Sequence, residues 1–231
     1  MAEGETKRAL VIGAHPDDTD FGAGGTAALW TRDGWEFYYL VCTDGSKGTD
    51  DPEMSGERLV PMRRDEQRAA AEALGVKECY FLDHVDGELT PSRELLREVT
   101  RHIRMLRPDA VFTHSLDVII RNTFINHSDH RATAQATVDA VYPTARDRLN
   151  FPEQLAEGLE THKTLELYLW GANDSNFEVD ISDVVETKIQ GLLAHHSQFG
   201  GREGFVEFAK ERWRDESGRY VERFQKVNLP R

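Results

Sequence analysis

Two short clusters in this sequence hold the side chains best suited to chemistry: His15-Pro16-Asp17-Asp18 and His127-Ser128-Asp129-His130. Histidine and aspartate are ligands for zinc and related divalent ions, and three protein ligands with one open position make a catalytic site. Two histidines and one carboxylate drawn from these clusters would hold the ion. Water in the open position would have its pKa lowered to roughly 7. A further carboxylate can take a proton from that water, and a histidine on the far side can stabilise an oxyanion and protonate a leaving nitrogen. Residue types alone leave open which of Asp17 and Asp18 is ligand and which is base. Each residue also has a structural reading. A histidine after a strand usually has an ordinary partner, Asp129 at a helix start can serve as an N-cap, and Pro16 can shape a turn. Their joint occurrence at two strand ends favours chemistry.

The elements around the clusters must bring them together. Residues 8–14 form a continuous apolar run that suits a strand buried on both faces. A helix is expected to open at Gly22–Gly25 and to end near Asp33-Gly34. A second strand is expected over 36–42, and a long functional loop over 43–60. Further helices are read over 62–74, from the Thr90-Pro91 start to 106, over 130–141 and over 182–195. Further strands are read over 79–82, 109–114 and 165–170. This alternation predicts an α/β fold: a single-domain, Rossmann-like three-layer sandwich with a mostly parallel sheet. It spans 1–231, with 198–231 as a charged C-terminal helical extension. Both clusters follow strands, at the sheet edge where open α/β sheets hold their ligand crevice. If the strand over 109–114 lies beside the first, the two clusters meet.

Ala14-His15-Pro16-Asp17-Asp18 together with His127-Ser128-Asp129-His130 resembles the LmbE-like, or PIG-L, zinc de-N-acetylase superfamily. The resemblance extends over most of the chain, through Thr43-Asp44-Gly45, Arg63-Arg64-Asp65-Glu66, Asp86-Gly87, Val179 to Asp183, and His195-His196-Ser197-Gln198. It implies an N-deacetylase acting on an N-acetylglucosamine-type substrate. It implies Zn2+, with Fe2+ an alternative for such ligands. His15, Asp18 and His130 match the metal ligands, Asp17 the general base, and His127 the residue that stabilises the oxyanion or protonates the amine. Asp129 matches a neighbour that tunes His127, and Arg63 and Asp86 match positions that hold substrate hydroxyls. For Arg63 the competing reading is a helix-surface ion pair with Glu66. The resemblance also implies a homo-oligomer, trimer or hexamer. Ser128 stands where proline is frequent, and Ile125 where the mycothiol branch has a tyrosine, which argues against a mycothiol precursor as substrate. Alternative activities are an amidase on another acylated metabolite or thiol conjugate, or metal and sugar binding without turnover. A binding protein has no need of a general base such as Asp17.

The formal net charge is −13, from 28 Lys+Arg against 41 Asp+Glu. Such a surface repels nucleic acid and anionic membranes, which leaves a small-molecule substrate. The polar start 1–5 is not of signal-peptide type, and no apolar stretch approaches membrane-spanning length. The expected compartment is the cytoplasm. Cys42 and Cys79 lie in apolar runs and read as buried thiols. Gly22-Ala23-Gly24-Gly25 lacks dinucleotide-site spacing and reads as tight packing of a helix on the metal loop. His114 either lines the crevice or is structural. His195 and His196 suit a helix end or reach the site.

Overall fold

The computed structural model describes residues 6–117, 120–121 and 124–231. The polar start 1–5 therefore lies outside the described residues, as do positions 118, 119, 122 and 123. The first half of the chain runs β1 (Arg8–Gly13), α1 (Asp18–Arg32), β2 (Glu36–Thr43), α2 (Gly56–Ala73), β3 (Glu78–His84), α3 (Arg93–Leu106) and β4 (Ala110–His114). A small hairpin of β5 (Ile120–Arg121) and β6 (Phe124–Ile125) leads to α4 (Ser128–Val141) and the short α5 (Pro152–Ala156). The rest is β7 (Glu166–Trp170), β8 (Phe177–Asp180), α6 (Val185–Leu193), α7 (His196–Phe199), α8 (Phe205–Trp213) and β9 (Val221–Asn228).

Seven strands form one sheet in the order β3-β2-β1-β4-β7-β9-β8. β1, β2, β3, β4 and β7 are parallel, and β9 runs antiparallel to both its neighbours. The α/β class with a mostly parallel sheet is as the sequence predicts. Alternation along β1 divides its side chains between two cores. Val11 joins Phe37, Tyr39 and Phe112 under α1 and α6, while Leu10 and Ile12 join Leu40 and Val111 under α3 and α4. Strand order reverses at β1: the chain builds outward through β2 and β3, then returns to place β4 on the other flank. The carboxyl ends of β1 and β4 are thus the switch point where such sheets open a crevice.

Several boundaries differ from the sequence reading, each for a physical reason. α1 begins at Asp18, four residues before the glycines, because the chain turns into the helix directly from the His15-Pro16-Asp17 corner. The glycines face away from that corner: a Cβ at Gly22 would meet the Trp170 ring, and one at Gly25 would meet Ile181 and Glu222. α2 begins at Gly56 and carries Pro61 inside it. Pro61 is exposed, so the carbonyl it fails to bond faces water. α3 starts at Arg93, where the Ser92 hydroxyl accepts from the Leu95 N–H at 3.1 Å; Ser92, not Thr90, is the cap. The expected helix over 182–195 is a 3-10 turn and α6, and His195 is the N-cap residue of the separate α7. The charged segment 198–231 is only partly helical. Its last strand, β9, lies inside the sheet between β7 and β8.

Candidate metal centre

The corner after β1 is built by local bonds. The His15 N–H donates to Asp18 Oδ2 at 2.7 Å. Asp17, between them, takes φ 108° and ψ −30°, a region rarely occupied by a residue with a Cβ. Its N–H donates to Gln67 Oε1 at 2.8 Å, and Gln67 Nε2 donates to Asp20 Oδ2 at 2.8 Å. His195 Nε2 contacts the same Asp20 oxygen at 2.8 Å, so His195 is buried behind the corner and not in the site. Arg63, also buried, donates to the carbonyls of Pro16 at 2.6 Å and Gly45 at 3.1 Å, and its Nη2 lies 3.2 Å from Asp17 Oδ2. Arg63 is thus a clamp on the loops flanking the corner and a counter-charge to Asp17, not a surface partner of Glu66. Glu66 instead accepts from the N–H and hydroxyl of Ser197.

The second cluster arrives at the start of α4. His127 is the N-cap residue, with its Nδ1 accepting the Asp129 N–H at 3.2 Å. Asp129 is therefore in the first turn and is not the cap. Its carboxylate accepts from the N–H groups of Gly87 at 2.7 Å and Leu89 at 3.3 Å, and lies 3.2 Å from His15 Nε2. It stands 3.9 Å from His127 Nδ1, so its carboxylate lies closer to His15 than to His127, while its N–H holds His127. Asp86 is likewise turned inward, with one oxygen 3.2 Å from His15 Nε2 and the other accepting from the Lys47 N–H at 3.1 Å.

Donor atoms of three residues converge between the clusters, His15 and His130 with one nitrogen each and Asp18 with both carboxylate oxygens. His15 Nδ1 lies 3.3 Å from Asp18 Oδ2, His130 Nε2 lies 3.2 Å from Asp18 Oδ1, and the two nitrogens are 3.3 Å apart. The edge of a coordination tetrahedron with bonds of 2.0–2.1 Å is roughly 3.3 Å, so the spacing suits a zinc-sized ion. The outer nitrogens agree. His15 Nε2 faces two carboxylates, and His130 Nδ1 faces Asn126 Oδ1 at 3.2 Å, so in the neutral rings both protons are drawn outward and the inner lone pairs are available to a cation. A divalent cation among them would take both inner lone pairs while the outer protons stay on their partners. A second grouping, His15 with Asp86 and His127, could also hold an ion, but it needs the His15 nitrogen that already serves two carboxylates.

Electrostatics follow from this crowding. Burial opposes the charge on His15, yet Asp129, Asp18 and Asp86 overcome it and raise its pKa to about 12. Burial and the neighbouring Asp18 charge push Asp17 up to about 6. Asp18 is held well below the usual carboxylate range; burial opposes this, and His130 and His114 drive it. Burial, then the His15 charge, lowers His127, whose side chain is 45% exposed. The resulting arrangement offers a cation cradle, a carboxylate poised near neutrality and an accessible imidazole.

Comparison with known proteins accords with this geometry. Residues 10–141, which include both clusters, match the family described as GlcNAc-PI de-N-acetylase, PIG-L. The chain belongs to the PIG-L family. It is 36% identical to the diacetylchitobiose deacetylase of Thermococcus kodakarensis, over 84% of this chain and 71% of that one. Among solved structures, this PIG-L chain is similar to the N,N'-diacetylchitobiose deacetylase of Pyrococcus horikoshii in complex with its inhibitor MPG. The TM-score is 0.86 at 31% identity, covering 97% of this chain and 85% of that one. A 4-carboxy-2-hydroxymuconate hydratase from Pseudomonas putida shares the fold, with a TM-score of 0.80 at 22% identity over 98% of both chains. The fold therefore hosts more than one chemistry, and the argument for activity rests on the site.

The structure brings together His15, Asp17, Asp18, His127, Asp129 and His130, as read from the sequence. It places Arg63 and Asp86 at the same edge with their charged ends directed into the framework. Sequence reasoning missed Gln67 and Asp20, the buried supports behind Asp17. A polar Gln67 on the inner face of a helix was their one signal.

Proposed function

We propose that this protein is a metal-dependent deacetylase that removes the N-acetyl group from an N-acetylglucosamine-type substrate, with short N-acetylated chito-oligosaccharides the first to try. The observation that carries the reading is the convergence of His15, Asp18 and His130, with donor contacts of 3.2–3.3 Å, beside a carboxylate whose pKa is raised to about 6. The likeness to two diacetylchitobiose deacetylases supports the substrate class. His15, Asp18 and His130 would hold Zn2+, or Fe2+ in its place. A divalent cation there lowers the pKa of a water and polarises the amide carbonyl.

The remaining work belongs to the protein's own residues. Asp17, ionised above its raised pKa, takes the proton from the attacking water, and Arg63 keeps the carboxylate in place. His127 accepts from the Asp129 N–H through Nδ1, so a neutral ring carries its proton on Nε2. That proton is available to the oxyanion and to the leaving amine nitrogen. Asp129 and Asp86 orient His15, and Arg63 and Asp86 shape the pocket by fixing the loops at Gly45 and Lys47. Among the described residues no helix is long and apolar enough to cross a membrane. We read the site of action as the cytoplasm and the assembly as a homo-oligomer, trimer or hexamer. Phe124 and Ile125, 52% and 71% exposed, supply apolar surface for it.

The test is acetate release from N,N'-diacetylchitobiose and N-acetylglucosamine derivatives by zinc-loaded protein, with Asp17→Ala beside wild type. Release by wild type and its loss in the mutant, with metal retained, is the expected result. Metal binding without release from any acyl donor would favour a binding role. Failure to bind metal would remove the reading. Light scattering of the purified chain tests the oligomer, and a monomer would reject it.

A further inference from the structure

His114 and Trp170 close the ends of two adjacent strands beside the centre and have no part in the reaction outlined above. They are register partners in β4 and β7. The Trp170 indole N–H donates to His114 Nδ1 at 3.1 Å. An indole N–H can only donate, so Nδ1 carries a lone pair and the neutral ring holds its proton on Nε2. That nitrogen lies 3.5 Å from Asp18 Oδ2. The Ala14 N–H faces the same nitrogen at 3.3 Å. The opposite tautomer would satisfy Ala14 alone, while setting N–H against N–H at Trp170 and a lone pair against the Asp18 carboxylate. The Nε2–H form pairs with Trp170 and turns its proton toward Asp18, at the cost of the Ala14 contact.

The ring has a second contact. His114 and His130 are stacked, with centroids 4.1 Å apart and planes 17° from parallel. One buried side chain therefore touches two of the three converging donors, Asp18 at its edge and His130 on its face. Trp170 is itself held from behind. A Cβ at Gly22 of α1 would come within 2.4 Å of the indole, so the helix backbone rests directly on the ring. Gly22, Trp170 and His114 form a continuous packed column from α1 to the centre.

We propose that His114, its tautomer set by Trp170, is a positioning residue that holds Asp18 and His130 ready for the cation. This rests on reading His15, Asp18 and His130 as the metal site. Outer partners of metal ligands typically change metal affinity 10–100-fold. The experiment is a zinc titration of the metal-free full chain against a chromogenic chelator, for wild type, His114→Phe, His114→Gln and Trp170→Phe, with thermal melting to establish folding. His114→Phe keeps a ring on His130 but removes the donor, and His114→Gln can place an amide N–H near the lost Nε2. Expected are zinc binding weakened about 10–100-fold by His114→Phe, a smaller loss in Trp170→Phe, and recovery of affinity in His114→Gln relative to His114→Phe. Wild-type affinity in folded His114→Phe overturns the proposal. If that variant does not fold, Trp170→Phe decides, and unchanged affinity there overturns it. His114→Gln binding no better than His114→Phe overturns the donor role. A wild-type chain that binds no zinc instead removes the metal-site reading, and this proposal with it.

Discussion

Asp17 is unusual in both its backbone and its side chain. Its φ of 108° is uncommon for a residue with a Cβ, and its buried carboxyl is raised to about 6. The sign of the linkage follows. A folded-state pKa above the unfolded value of about 3.9 means the folded protein binds the proton more tightly between about pH 4 and 6. Stability is lost as pH rises through that window, and the ionised group opposes folding at pH 7. Asp17→Asn should therefore stabilise the metal-free protein at pH 7, on the order of 3 kcal/mol, with the gain vanishing below about pH 4. Thermal melts at pH 7 and pH 4 check this. The same variant should lose about 10²–10⁴-fold in kcat while retaining metal. His15 gives a second prediction. With its pKa raised to about 12 it is protonated in the metal-free protein at neutral pH and must release that proton to bind a cation. Apparent zinc affinity should rise about tenfold per pH unit between pH 6 and 8, and a pH-independent affinity would contradict the assignment.

At the scale of elements, the contact of α1 with the end of β7 and the tie of α2 to the first corner decide where the site residues stand. A Cβ at Gly22 would collide with Trp170, so Gly22→Ala should cost about 1–3 kcal/mol by overpacking, read as a fall in the melting temperature. An unchanged melt would mean that α1 can lift off the ring. Gln67 of α2 serves the Asp17 N–H and the Asp20 carboxylate together. Gln67→Leu leaves the Asp17 N–H unpaired and removes one of the two partners of Asp20 Oδ2, the other being His195, and should destabilise by about 1–3 kcal/mol. Its effect on turnover should appear in kcat more than in KM, because the base is displaced and the open face of the site is untouched.

The whole molecule depends on its last strand. β9 sits between β7 and β8 and carries the buried Glu222. Glu222 accepts from the N–H groups of Gly25 at 2.8 Å and Thr26 at 2.7 Å, pairs with the buried Lys188, and so joins α1, α6 and the sheet. Lys188 also donates to the Phe21 carbonyl at 2.9 Å and lies 3.9 Å over the Trp213 ring. Glu222→Ala would strand that ammonium group and should cost about 3–5 kcal/mol. Chemical denaturation measures it, and a loss below about 1 kcal/mol would show that water reaches Lys188.

Much of this was legible in the sequence because it is local. The apolar run 8–14 had to be a buried strand, and the alternation of strands and helices implied a parallel sheet. The residue types of His15 to Asp18 and His127 to His130 announced a metal-and-base chemistry, and their motif spacing carried the family. What stayed hidden is set by partners far apart in the chain. The strand in 221–228 has little alternation because Glu222 is buried against Lys188, 34 residues away, so its charge read as surface. The packing of α1 on the Trp170 ring at Gly22 joins residues far apart in the chain. The Asp129 carboxylate meets His15 because strand order sets β1 beside β4, 101 residues apart at Ile12 and Thr113. Composition and periodicity determine which elements form and which side chains are available. Only the register of distant strands decides which lone pair meets which proton, because hydrogen bonds and ion pairs act over a few ångströms and the sequence states no such distances.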